Sequence, residues 1–394
     1  MNEKLGKTKA LWVIRAAVFS LLTAVSYFYF FHHDSHQAAT INVKTDFNAH
    51  GDGIHDDTNA IQAAIDSVAK GGTIVIPPGV YKISKDSEHR IKTGYGISYS
   101  AIKISKPLTL IMNGAVFLTS TEDKYGAFWI YKTSEVHLKG GSLKGNVFPT
   151  DGIYTSRVGV LVQECDHCSI EDMNTQNFSQ GLNIYQSTYT SISKVTSENN
   201  HGSGIINFSS HHTQIDSCAV RNSSDGHISL YGGGTYNTVT NCKVTENRKG
   251  YPREQGITVE TEKYSLIKNN TVSGFFYGID IKNGSDSDII ELNKTYNNQY
   301  NIIVRAGDPG RNLQTISNNI QILKNTVTKP RAAASNAGIV IQVGRGHVVQ
   351  ENVIDEGKLR ITDGIENRTM KSDEIKVMNN IFIKRSDSYS IASP

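Results

Sequence analysis

The sequence predicts an all-β chain, a right-handed parallel β-helix solenoid of roughly ten rungs with an N-terminal capping helix. Three observations predict it. Glycine-led apolar segments recur with a beat of 22 or 23 residues, and a second short strand motif keeps step with them. A single amphipathic helix stands ahead of the first strand, where a solenoid needs its open end covered.

Composition agrees. Among 394 residues there are 34 glycines and only 8 prolines, which suits short strands joined by tight turns. Lys plus Arg (40) nearly balances Asp plus Glu (37), and basic residues cluster only at the N-terminus. That distribution lacks the footprint of a nucleic-acid binder.

Residues 1–40 read as a targeting element. Lys4, Lys7, Lys9 and Arg15 precede an apolar stretch from Ala16 to Phe31. Sixteen residues are short for a full membrane span and long enough for a signal core. A cleaved signal peptide and an uncleaved signal anchor, holding the chain to a membrane through residues 16–31, both stay open. Either places the remainder outside the cytoplasm: secreted, periplasmic, or anchored and facing outward.

Residues 41–85 form the expected cap. Gly51 and Gly53 permit a tight turn. Asp56, Asp57 and Thr58 offer oxygens to the first N–H groups of a helix, on whose inner face Ala60, Ile61, Ala64, Ile65 and Val68 fall. Gly71-Gly72 stops it, Thr73–Ile76 is a buried strand, and Pro77-Pro78-Gly79 turns the chain. On this reading Asp52, Asp56 and Asp57 serve turn and cap.

The stretch 41–83, from Ile41–Asp46 through Phe47–Gly53 to Val80-Tyr81, resembles the N-terminal signature of the pectate-lyase superfamily. The similarity continues through Leu108–Leu118 and Val136–Gly145. That superfamily includes polygalacturonase-like hydrolases, phage tailspikes and epimerase-like proteins. The resemblance implies a parallel β-helix and a polysaccharide partner; it fixes no reaction, because one fold hosts many chemistries.

The solenoid proper is expected over 86–384. Gly159-Val-Leu-Val162, Gly181-Leu-Asn-Ile184, Gly256-Ile-Thr-Val259, Gly278-Ile-Asp-Ile281 and Gly338-Ile-Val-Ile341 repeat one strand, with Asn301-Ile-Ile-Val304 as a variant. Ile206-Asn-Phe208 and Ile228-Ser-Leu230 fill the remaining rungs, each slipped by one residue against its glycine. A second strand follows Cys218, Cys242, Asn270, Asn325, Asn352 and Asn380, where side-chain amides suit an interior turn. So short a period leaves no room for a helix in each rung. Residues 363–374 read as a surface loop, and 385–394 as a polar tail.

Cys218 and Cys242, one repeat apart, should stack on adjacent rungs, as a disulfide or as two thiols. Cys165 and Cys168 make a CxxC, but no second pair completes a zinc site.

Chemistry on a β-helix belongs to outward side chains that stack across rungs. With Val259, Ile281 and Val304 pointing in, Glu260, Lys282 and Arg305 point out, in a column expected to begin at Ser229. Asp280 shares that face, and His227 is expected there beside Asp225. Two insertions border the column and bring Arg248, Tyr251, Arg253, Glu254, Asp308 and Arg311 as substrate-binding candidates. Lys282 and Arg305 with Glu260 suit β-elimination from a uronate-containing glycan. Glu260 with Asp280, or Asp225 with Glu260, suits hydrolysis. The Asn-Thr-Asp, Asp-Asp and Gly-His-Gly elements of polygalacturonase-like enzymes are not reproduced; Asn200–Ser203 and Ser224–His227 only echo them. The same charges also read as a solvated exterior ladder.

The expectation is therefore an extracytoplasmic enzyme that cleaves an acidic polysaccharide. A non-catalytic glycan-binding or export-associated β-helix and a polyuronate C5-epimerase are the alternatives. No cofactor is required, no metal site is expected, and calcium stays open as a ligand of exterior carboxylates.

Overall fold

The computed structural model describes residues 40–93, 96–120, 124–146, 157–248, 255–307, 315–330, 337–356, 358–361 and 375–383. The targeting element (residues 16–31 included), the 363–374 loop and the polar tail lie outside the described residues.

Alternating apolar residues and turns every few positions fold the chain into three long sheets. The first runs from Thr40–Asn42 to Lys376–Met378 and the second from Asp52–Asp56 to Ile381–Ile383, each with 13 strands. The third has 12 and runs from Asp86–Thr93 to Lys358–Ile361. One strand of each sheet makes a coil, as in Tyr277–Lys282, Ile289–Glu291 and Lys294–Tyr296. Thirteen coils at about 4.8 Å each give a length on the order of 60 Å. The count exceeds ten because the regular beat begins only near residue 157, whereas earlier coils vary in length. Among the described residues all strand pairings are parallel except one: Asp86–Thr93 runs antiparallel to Gly96–Ile104 at the edge of the third sheet.

The interior is a set of aliphatic columns. Val259, Ile281 and Val304 lie over one another, as do Ile257, Ile279 and Ile302. Gly278, near the start of its strand, leaves room for the next coil, because a Cβ there would meet the Asn301 carbonyl oxygen at 2.5 Å. One expected slip is absent: Leu182 pairs with Ile205, so Ile205 and Asn207 are the inward residues and Ile206 and Phe208 face out. The next coil does slip, because Ile205 pairs with Ile228 and puts His227 where the others have glycine.

The cap consists of α1 (Val43–Phe47) and α2 (Thr58–Ser67). Ile61, Ala64, Ile65 and Val68 are buried against the first coils. Asp56 accepts from the Thr58 N–H at 3.0 Å, as expected of a cap. Asp57 instead turns its carboxylate to the N–H groups of His50 and Gly51 and fixes the preceding turn.

Between first and second sheets, each of nine coils carries one non-glycine residue in the left-handed region, among them Lys194, Asn241 and Leu292, with φ of 52–57°. The next residue points inward. From Asn270 through Asn293, Asn325 and Asn352 to Asn380, each amide oxygen receives both the main-chain N–H and the amide of the preceding asparagine, at 2.8–3.0 Å. Cys242 caps this ladder through its N–H, and Cys218 and Cys242 are buried free thiols. Cys165 and Cys168 are joined as a disulfide.

On the outside of the corner between third and first sheets, the rings of His167, Tyr189, His212, Tyr236 and Tyr264 stack at 4.6–5.2 Å. The two ends of the solenoid differ. Helix α2 packs on the first coils, whereas Val377, Met378, Ile381, Phe382 and Ile383 of the last described coil are 40–58% exposed.

Candidate functional site

Outward positions of the third sheet form columns, one residue per coil. One column places Tyr185, Phe208, Tyr231, Glu260 and Lys282 on successive strands, and Arg305 follows Val304 on the next. Ser229 is not its start: it pairs with Thr258, which pairs with Asp280 in the neighbouring column. The residue beside Glu260 is Tyr231.

Four charged side chains converge where the two columns meet. Arg305 donates from Nε to Asp280 Oδ1 and from Nη2 to Oδ2, both at 2.7 Å. Lys282 Nζ lies 3.4 Å from Glu260 Oε2 and 3.9 Å from Asp280 Oδ2. Asn283 donates to Glu260 Oε1 at 2.5 Å, and the Arg305 guanidinium sits 4.6 Å from the centroid of the Tyr277 ring. The set is buried: Asp280 is 0% exposed, Lys282 3%, and Glu260 and Arg305 5% each. This is no solvated ladder. Desolvated charges are tolerated only when matched, and here two carboxylates meet two cations.

His227 and Asp225 belong elsewhere. His227 does not face outward with Ser229; it is buried at the corner between second and third sheets, edge-on to Phe275. Its Nε2 accepts from the Ser223 N–H at 3.1 Å, and its Nδ1 lies 3.2 Å from the Asp225 carbonyl oxygen. That pattern fits a neutral ring with its proton on Nδ1. Burial pushes its pKa down to about 4. Glu246 stands 3.6 Å from Nε2 and is held by Arg248 at 2.6 Å. Arg248 also donates to the Ser223 carbonyl and the Ser224 hydroxyl, so it braces this corner. Among the described residues Glu260 pairs with Lys282 and Asn283, not with Asp225. Tyr251, Arg253, Glu254, Asp308 and Arg311 lie outside the described residues.

Among the described residues no group of three or more His, Cys, Asp or Glu side chains gathers as a metal site. Glu260 and Asp280 face ammonium and guanidinium groups, which compete with calcium for the same oxygens.

Residues 126–294 and, overlapping them, 180–335 match the family described as right handed beta helix region. The chain belongs to that family. Residues 40–104 match the description rhamnogalacturonase A/epimerase, pectate lyase-like. A 49-residue segment is 57% identical to mannuronan C5-epimerase AlgE6 of Azotobacter vinelandii, covering 12% of this chain and 6% of that protein. Alginate lyase 7 of the same organism matches to the same extent, so the chain matches a small fraction of these relatives' length. Among solved structures, the A-module of A. vinelandii mannuronan C-5 epimerase AlgE4 superposes with a TM-score of 0.66 at 16% identity, over 87% of this chain and 95% of that one. The tailspike of E. coli bacteriophage HK620, solved with a pentasaccharide, gives 0.61 at 12% identity, over 88% and 67%. An exopolygalacturonase from Thermotoga maritima gives 0.54 at 13%, over 86% and 92%. At such identities these structures speak to the fold of this β-helix protein.

Sequence alternation brought Glu260, Asp280, Lys282 and Arg305 to one face, and the structure joins them. It missed Tyr277 and Asn283. Asn283-Gly284 directly after the strand was the available signal, because an asparagine in the left-handed region (φ 55°) turns its amide back toward the sheet.

Proposed function

We propose that this β-helix protein acts outside the cytoplasm on a uronate-containing polysaccharide, hydrolysing a chain laid along the outer face of the third sheet. The observation that carries the reading is the pair of carboxylates sharing one ammonium. Glu260 and Asp280 both lie within 4 Å of Lys282 Nζ, so their nearest oxygens are at most about 7 Å apart, below the upper limit for hydrolytic carboxyl pairs. β-Elimination asks for cations to offset a developing enolate. Lys282 and Arg305 already face carboxylates, which favours hydrolysis. In this reading Glu260, beside Tyr231, transfers the proton, Asp280 is the second carboxylate, and Lys282 and Arg305 hold both in place.

Incubation with a panel of polyuronates and mixed glycans, following reducing ends and the ultraviolet absorbance of unsaturated sugars, tests it. New reducing ends without that absorbance support hydrolysis, and unsaturated products redirect the reading to elimination. Unchanged chain length with an altered NMR signature redirects it to C5 epimerisation.

One observation favours a second reading, a glycan-binding β-helix without turnover: the four charges are buried and mutually paired. Retention of a glycan unaffected by Glu260→Gln, with no product of any kind, selects it.

A further inference from the structure

At the corner between third and first sheets, two interior columns are polar over several coils. One passes through Ser210, Gly234, Glu262 and Ser285, the other through Thr213, Asn237, Ser265 and Asp288. The bridges Thr235 to Lys263 and Lys263 to Asp286 fix this alignment. Glu262, Asn237 and Asp288 are each 0% exposed.

Asn237 shows what this position asks of a side chain. Its Oδ1 accepts from the Thr213 N–H of the preceding coil at 2.9 Å. Its Nδ2 donates to the Ser210 carbonyl at 2.9 Å and to Glu262 Oε2 at 2.7 Å. Two coils on, Asp288 repeats the first contact: its Oδ1 accepts from the Ser265 N–H at 2.7 Å. By the repeat of the column, Oδ2 corresponds to the amide nitrogen of Asn237, and the residue matching Ser210 is Glu262. A carboxylate oxygen there would confront the Glu262 carbonyl oxygen, acceptor against acceptor. Among the described residues no group in hydrogen-bonding geometry donates to Oδ2; the Ser265 hydroxyl is near the carboxyl and opposes, without outweighing, the effect of burial.

We infer that Asp288 is a neutral carboxylic acid in the folded protein at neutral pH, its Oδ2 proton donated to the Glu262 main-chain carbonyl oxygen. The acid thereby takes the part that the amide plays in Asn237.

The charges around it agree. Glu262 and Asp286, the groups acting on Asp288 electrostatically, are both acidic. Burial, chiefly, with those two carboxylates, pushes the Asp288 carboxyl up to about 8. Glu262 is itself pushed up to about 7 by burial. His347 lies two coils further along the same column, where its Nδ1 accepts from the Ile320 N–H and its Nε2 faces the Val343 carbonyl, so it brings no proton to Asp288.

The sign follows. A carboxyl held above its ordinary value binds its proton more tightly in the folded state, so stability falls as pH rises from the ordinary carboxyl range through about 8. Asp288→Asn replaces the acid by the group already used at Asn237. The full chain carrying it is expected to melt several degrees above the unsubstituted chain at about pH 9, and to lose less of its midpoint between about pH 6 and about pH 9. An identical pH slope for the two proteins would overturn the inference. Infrared difference spectra of the unsubstituted chain, with aspartate isotope-labelled, give a reading that does not depend on a variant folding. A carboxylic-acid carbonyl band at neutral pH, absent from Asp288→Asn, supports the assignment, and only carboxylate bands at neutral pH refute it, as would be seen if a bound cation occupied Oδ2.

Discussion

Arg305 holds Asp280 through two parallel hydrogen bonds of 2.7 Å that cross from one coil to the next. The pair is fully desolvated on the Asp280 side, so its two halves are unequal to any single replacement. Arg305→Ala leaves Asp280 a buried carboxylate whose remaining ion pair among the described residues is the 3.9 Å contact to Lys282. A loss of about 3–5 kcal/mol is expected, read as a lower denaturation midpoint. Arg305→Lys should recover only part of it, because an ammonium cannot reproduce the two-pronged contact.

Glu260→Gln keeps the shape and the Asn283 side of the site but removes the acid. If Glu260 transfers the proton, turnover of a cleaved glycan should fall about 10²–10⁴-fold, and the melting temperature should fall too, because buried Lys282 loses its nearer carboxylate. Equal turnover in the variant would exclude Glu260 from that role.

How far the sequence carried is visible at these residues. The coil repeat and the asparagine positions were legible because β-alternation and stacking are local rules. Alternation also assigned Glu260, Asp280, Lys282 and Arg305 to one face. It says which way a side chain points and nothing of what covers it, so burial of the four charges was not readable. Ser229 was misplaced for a different reason. His227, not Gly226, stands in the glycine position, and alternation alone then leaves Ser229 and Tyr231 as equal candidates beside Glu260. The outward placement of His227 failed with it.

The Asn293 side chain accepts two hydrogen bonds from Asn270 and donates two, to the Ile267 carbonyl and to Asn325 Oδ1. Asn293→Ala strands buried donors and acceptors on both neighbouring coils. Each stranded group costs about 1–3 kcal/mol. Equilibrium denaturation should show a larger loss than for Asn380→Ala, since Asn380 closes the described ladder and has an asparagine on one side only.

His227 should set part of the acid limb of stability. Its folded pKa lies near 4, below its ordinary value of 6.5, so its contribution is complete above 6.5 and is lost as pH falls toward 4. Midpoints measured across that window should drop less steeply in His227→Gln than in the unsubstituted chain.

Cys218 and Cys242 are buried, and their mutual hydrogen bond with burial holds the Cys242 thiol up. An alkylating reagent should label neither in the native protein and both after denaturation. Labelling of native protein would mean that this corner opens.

The dissimilar ends give the molecule a direction. Each coil is held by its neighbours, and among the described residues the last coil has a neighbouring coil on one side only, with its apolar side chains half exposed. Amide exchange should therefore advance as a front from Ile381–Ile383 inward, peeling one turn at a time, and reach the helix-sealed end last.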